Sequence, residues 1–133
     1  MRGRHVFSVA MDMARFQRWL DDYVAAWRSY DADAIGALFA EDAEYRYHPW
    51  DDAVTGRDAI VADWLEEPDT SGSWEAEYRP WSLDRDHGTA TGVSRYLGAD
   101  GTVDREYHNV FLCIFDADGR CSSFTELYLQ RKD

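Results

Sequence analysis

Apolar residues recur at helical spacing in the first half of the chain and at alternate positions in the second. Phe16, Trp19, Leu20, Tyr23, Val24 and Trp27 stand at i, i+3, i+4, i+7, i+8 and i+11, one stripe on a helix from about Met13 to Ser29. Tyr30-Asp31-Ala32-Asp33 breaks the pattern and supplies aspartate N-caps for a second helix carrying Ile35, Leu38 and Phe39. So short a link predicts a helical hairpin. A first strand follows over about Ala43 to His48, where alternation sends Tyr45 and Tyr47 to one face and Glu44, Arg46 and His48 to the other. A bulge before Pro49 would instead turn His48 to the tyrosine face. Thr55-Gly56-Arg57-Asp58 leads into a third helix with Ile60, Val61, Trp64 and Leu65 inward, stopped by Pro68.

From Trp74 onward the period is two. Trp74, Ala76 and Tyr78 alternate with Glu75, Glu77 and Arg79, and Pro80 marks a bulge or an edge. Turns at Asp86-His87-Gly88, Ala99-Asp100-Gly101 and Asp116–Gly119 separate strands over about Thr89–Leu97, Val103–Phe115 and Arg120–Gln130. Helices followed by a run of antiparallel strands is an α+β order. A four-residue final turn pairs Phe115 with Arg120, which sets Phe111 opposite Phe124, Asn109 opposite Glu126 and Tyr107 opposite Tyr128. A slip by one pair keeps these residues on one face, with Cys113; Cys121 falls on the other, so no disulfide is expected.

Composition narrows the setting. The 133 residues fit one domain, read as a loose tail over 1–12 and a single unit over 13–133. A net charge of −12 speaks against nucleic acid and anionic membranes, both of which call for clustered Lys and Arg. No apolar run approaches a membrane span. Two cysteines are too few for a disulfide framework, and a cytoplasmic location is expected. Aromatic residues make up 15% of the chain, more than a small core needs, so some should line a cavity or a subunit contact.

The candidate chemistry is sparse. No His, Asp or Glu set has metal-ligand spacing, no glycine-rich loop would hold a phosphate, and neither metal nor cofactor is expected. His48 can exchange protons near neutral pH. Glu126 is the anomaly, a carboxylate on a face shared with Phe124 and Tyr128. It needs an arginine, solvent at an open rim, or a raised pKa. Asn109 is its expected neighbour.

At this point the chain resembles nuclear transport factor 2-like domains of the SnoaL-like branch. The resemblance rests on Tyr23-Val24-Ala25-Ala26-Trp27, Asp31-Ala32-Asp33-Ala34-Ile35 and Leu38-Phe39-Ala40-Glu41-Asp42-Ala43. Gly56-Arg57-Asp58-Ala59-Ile60, Phe115–Arg120 and Phe124-Thr125-Glu126-Leu127-Tyr128 extend it. It implies a strongly curved antiparallel sheet wrapped as a cone over three helices, with the pocket inside and a homodimer formed through the sheet. Trp27, Tyr45, Tyr47, Trp64, Asn109, Phe111, Phe124 and Tyr128 would then line the pocket.

Within that group Δ5-3-ketosteroid isomerase is the sharpest comparison. Tyr23 stands at its oxyanion-hole tyrosine. Its general-base aspartate falls on His48 when Pro49 is matched, or on Tyr47 at ungapped spacing, and its second, protonated aspartate falls on Phe111. With both carboxyls gone, steroid isomerase activity is not implied. Limonene epoxide hydrolase is similar in fold only. SnoaL-type cyclases use one acid or base in an apolar pocket, and Glu126 or His48 fits that role. Two readings follow: a cofactor-free isomerase, cyclase or dehydratase for a small apolar or aromatic carbonyl compound, with Tyr23, His48 and Glu126 catalytic; or a non-catalytic ligand-binding or dimerisation module.

Overall fold

The structure, a computed structural model, describes residues 10–132, so most of the expected tail lies outside the described residues. Helix α1 spans Met13–Ser29; the Asp12 side chain caps it by accepting from the Arg15 N–H at 2.8 Å. Its stripe of Phe16, Trp19, Leu20, Tyr23 and Ala26 is buried. The helix stops at Tyr30, which adopts a left-handed conformation at φ 50°. A tyrosine takes that conformation at a cost of about 1 kcal/mol, and here the phenol is tied to Asp69 in both directions, as described below.

Helix α2 covers Ala32–Gly36, shorter than its sequence pattern suggested. Leu38 and Phe39 are not helical: strand β1 runs Phe39–Arg46, so the chain turns extended four residues earlier than expected and ends two residues before His48. Both side chains are still buried, since a β-strand can serve the same core. The two-residue strand β2 (Val54–Thr55) and helix α3 (Arg57–Glu66) follow. Ile60 and Trp64 of α3 are buried, whereas Leu65 is 38% exposed because it sits one position past the inward face.

Strands β3 (Trp74–Asp84), β4 (His87–Leu97), β5 (Val103–Phe115) and β6 (Cys121–Gln130) complete one curved, unclosed sheet in the order β2-β1-β6-β5-β4-β3. All pairings are antiparallel except β1 with β6. The expected α+β cone therefore holds, with one parallel junction where β1 meets the last strand. Pro80 marks a register shift on edge strand β3, as proline's missing N–H predicts. Aromatic edges join α1 to the sheet: Phe16 and Trp19 both meet Phe115, at 5.3 and 5.5 Å between ring centroids.

The final hairpin departs from its expected register. The Asp116 N–H donates to the Arg120 carbonyl, leaving a three-residue turn with Gly119 at φ 81°, and Ser122 is then an extra residue between paired positions. The pairs are consequently Phe111–Glu126, Asn109–Tyr128 and Cys113–Phe124. The same extra residue turns Cys121 inward, correcting its expected placement on the opposite face. Both thiols are free and buried, and the Cys121 thiol donates to the Ser123 carbonyl at 3.1 Å.

Gly92 sets how closely β3 approaches the centre of the sheet. It pairs with Tyr78 on one side and Asn109 on the other. A Cβ here would overlap the Glu77 carbonyl and the Tyr78 ring, and would lie 2.8 Å from the Tyr78 Cα. Because backbone must move, Gly92→Ala is expected to cost about 1–3 kcal/mol. Urea unfolding checks this, and an unchanged midpoint would show that β3 can shift freely.

Candidate functional site

The wide end of the cone holds a cavity of about 570 Å³. All eight tyrosines of the chain line it, together with Trp27 and Trp64. They arrive from almost every element: Tyr23 and Trp27 from α1, Tyr45 from β1, Trp64 from α3, Tyr78 from β3, Tyr96 from β4, Tyr107 from β5 and Tyr128 from β6. Curvature of the sheet is what makes one wall of them.

Glu126 reaches this cavity from β6. Asn109 Nδ2 donates to its Oε2 at 2.8 Å, and the Ser94 hydroxyl donates to Asn109 Oδ1 at 3.1 Å. The chain Ser94–Asn109–Glu126 fixes which way the amide points. The expected contact therefore forms, although diagonally across the ladder rather than between directly paired residues. No cation stands within salt-bridge distance of Glu126 among the described residues. Burial accordingly raises its pKa to about 7, with the Asn109 hydrogen bond and the His48 charge pulling the other way.

The phenols stay protonated. Burial chiefly, with neighbouring phenols and the Glu126 charge adding to it, holds Tyr23 well above the usual range. Burial followed by Glu126 does the same for Tyr45 and Tyr78, and burial leads again for Tyr96, pushed up to about 12. Tyr23 and Tyr45 join hydroxyl to hydroxyl at 3.2 Å. Two phenols sharing one hydrogen bond keep one O–H to spare. Both tyrosines line the same cavity as Glu126.

His48 lies off the cavity, as regular alternation along the strand predicts, and the alternative bulge that would turn it to the tyrosine face does not form. The histidine sits in the turn after β1, its ring stacked on Trp50 at 4.9 Å. Its Nδ1 meets Asp51 Oδ2 at 2.8 Å and its Nε2 meets the Tyr128 hydroxyl at 2.9 Å. Contact with the cavity is therefore indirect, through Tyr128. Tyr45 and Tyr47 both face the cavity, as alternation predicts; the Tyr47 hydroxyl donates to Asp63. Phe111 and Phe124, expected as pocket wall, are fully packed behind it: Phe124 stacks on Tyr45 at 4.7 Å, and Phe111 lies 4.8 Å from Phe124. They support the tyrosines and do not touch the space.

Several lining residues went unremarked in the sequence. Asp69 accepts from the Trp27 indole N–H at 2.9 Å and from the Tyr30 hydroxyl at 3.3 Å, while its own N–H donates to Tyr30 at 2.8 Å. Asp63, Glu66, Glu67 and Arg105 also reach the cavity. The acids were visible as a run at the end of α3, and only the strand curvature shows that they meet the tyrosines. No set of His, Cys, Asp and Glu among the described residues could hold a metal ion. No helix among them is long and apolar enough to cross a membrane.

A family model for the SnoaL-like domain matches residues 20–124. No curated protein matches the sequence. Solved structures are similar across most of the chain. An NTF-2 like protein of unknown function from Burkholderia xenovorans superposes with a TM-score of 0.68 at 18% identity, covering 90% of this chain and 87% of its own. A candidate scytalone dehydratase from Novosphingobium aromaticivorans gives 0.69 at 15% identity, with 91% and 87% covered. A ketosteroid isomerase-like protein from Erwinia carotovora atroseptica gives 0.64 at 18%, with 88% and 95% covered. At such identities the likeness shows the fold.

Proposed function

Because this chain belongs to the SnoaL-like domain family, we propose that it is an acid/base catalyst working with its own side chains on a small carbonyl compound with an apolar body. The reaction class is isomerisation, cyclisation or dehydration. One observation carries this reading: the carboxylate of Glu126, held by an amide in a tyrosine-walled cavity with a pKa of about 7. A group poised there gives and takes a proton at working pH. Glu126 removes a proton beside the carbonyl and returns it elsewhere on the molecule. The spare O–H of the Tyr23–Tyr45 pair donates to the oxygen that gains charge meanwhile. Neighbouring enzyme-like structures, among them the candidate dehydratase, fit this class.

His48 enters as a positioning residue. With Nδ1–H donated to Asp51, Nε2 accepts from Tyr128 and orients that phenol at the cavity rim. In its protonated form, with both ring nitrogens donating, its charge also lowers the Glu126 pKa. A His48→Gln variant is therefore expected to keep most of its rate, within about tenfold, and to move the midpoint of the pH–rate profile upward. A midpoint that stays in place would separate His48 from the chemistry.

The reading is tested without knowing the natural substrate. A panel of aryl ketones incubated with the protein in D2O should exchange the protons beside the carbonyl faster than in buffer, followed by NMR. Ketones that bind and exchange no faster than in buffer would favour the second reading, a non-catalytic binding module. That reading draws on the position of His48 outside the cavity. Homodimerisation through the sheet belongs to the proposal as well: Val110, Leu112, Leu127 and Leu129 are exposed on the face turned away from the cavity.

A further inference from the structure

Helix α3 ends against electrostatic preference. Asp63, Glu66 and Glu67 stand at i, i+3 and i+4 on the face lining the cavity. Its last turn carries no basic residue. The C-terminal end of a helix holds the negative pole of its dipole, so acids there repel the pole and one another. A fourth carboxylate, Asp69, joins them at the same rim. None of the four forms a salt bridge among the described residues. Among the described residues Asp63 and Asp69 have only neutral side-chain partners, the Tyr47 and Tyr30 hydroxyls and the Trp27 indole, and Glu66 and Glu67 have none. Packing alone gives no reason for this arrangement.

What the acids face does. The opposite walls are the tyrosine rings, whose negative π faces attract cations. The wall already holds one that way: the Arg105 guanidinium lies 4.7 Å from the Tyr96 ring centre and donates to the Tyr107 hydroxyl at 3.2 Å. Trp64, 9% exposed, belongs to the same wall, and its indole N–H has no acceptor among the described residues. A buried donor left unpaired is rare, and it marks the wall beside the acids as short of an acceptor.

From these observations we infer that the cavity takes a cationic ligand, an alkyl- or arylammonium whose charged head sits between the tyrosine rings and the Asp63–Glu66–Glu67 carboxylates, with its apolar body directed inward. The inference rests on the cavity being the working site proposed above and adds the charge of what enters it. In that reading the ammonium head relieves the repulsion at the end of α3, and an oxygen on the body takes the Tyr23–Tyr45 donor. The net charge of −12 favours the same ligands at longer range.

Three probes of similar size separate the possibilities: benzyltrimethylammonium, 4-phenylbutan-2-one and 3-phenylpropanoate. Binding is read by calorimetry and by quenching of Trp27 and Trp64 fluorescence. The cation is expected to bind at least about tenfold tighter than the ketone, an advantage that shrinks in high salt. It should vanish in the combined Asp63→Asn, Glu66→Gln, Glu67→Gln variant while ketone affinity stays the same. Circular dichroism and ketone binding verify that this variant is folded. Equal or tighter binding of the ketone, or a preference for the carboxylate through Arg105, overturns the cationic ligand and leaves the carbonyl chemistry standing. Failure of all three to bind overturns both.

Discussion

Glu126→Gln is expected to abolish proton exchange and, at pH 8, to make the protein more stable. The two effects share one cause. In the folded chain the carboxyl titrates at about 7 against a reference of 4.5, chiefly because burial penalises its charge. Between those values the folded state holds a proton that the unfolded state has released. Stability from this group is therefore complete below about pH 4.5 and is lost as pH rises through about 7. A shift of that size corresponds to at most about 3 kcal/mol, less in proportion to the solvent that reaches a partly exposed side chain. Glutamine keeps an oxygen to accept from Asn109 and carries no charge to desolvate. Parent and variant should thus unfold alike at pH 4.5, and the variant should be the more stable at pH 8, as measured by urea titration at the two pH values. The same substitution removes the proton donor, so exchange should fall by about 10² to 10⁴. A parent and variant with parallel pH–stability curves would mean that Glu126 is solvated and has an ordinary pKa.

That the sequence singled out Glu126 and Asn109 follows from a property of strands. Side chains alternate with a period of two, so an error of one pair in register leaves every residue on its expected face. The observed bulge at Ser122 changed the partners of Asn109 and Glu126 without separating them. Cys121, on the far side of that bulge, was misplaced for the same reason, because one inserted residue reverses the alternation. His48 is a different case. Its assignment depended on where β1 ends, and the strand stops at Arg46, leaving the histidine in a turn. Tyr78, Tyr96 and Tyr107 read from sequence as ordinary alternating strand residues. Only the curvature of the whole sheet brings them to one cavity, and curvature is a property no local pattern carries. The acids of α3 were more legible. Three carboxylates at the C-terminal end of a helix, with no lysine or arginine in its last turn, are a visible violation of the dipole preference. Such local conflicts mark places where something other than stability shaped the chain.

Phe124→Ala is expected to cost about 3–5 kcal/mol, the largest single stability effect here. Phe124 has no exposed surface and was expected in the pocket wall; instead it is the layer on which the wall stands. Its ring is nearly parallel to Tyr45 (4.7 Å, 11°) and to Tyr23 (5.6 Å, 16°), and Phe111 and Trp19 close its sides at 4.8 and 6.1 Å. Removing the ring leaves a cavity that four large neighbours, each fixed by its own element, cannot collapse to fill. The lost transfer energy and the lost contacts then add. Because Tyr23 and Tyr45 lose a shared stacking partner, their 3.2 Å hydroxyl contact should loosen with them. Catalysis by the surviving folded fraction should drop while Glu126, held from β5 by Asn109, keeps its pKa near 7. Tyr128→Phe is the control, since Tyr128 is 42% exposed at the rim and its ring meets His48 and Tyr107 only at the edge of the cavity. It should leave the unfolding midpoint within about 0.5 kcal/mol of the parent. Were Phe124→Ala as mild as Tyr128→Phe, Phe124 would belong to the pocket surface after all, and the tyrosines would owe their placement to the helices alone.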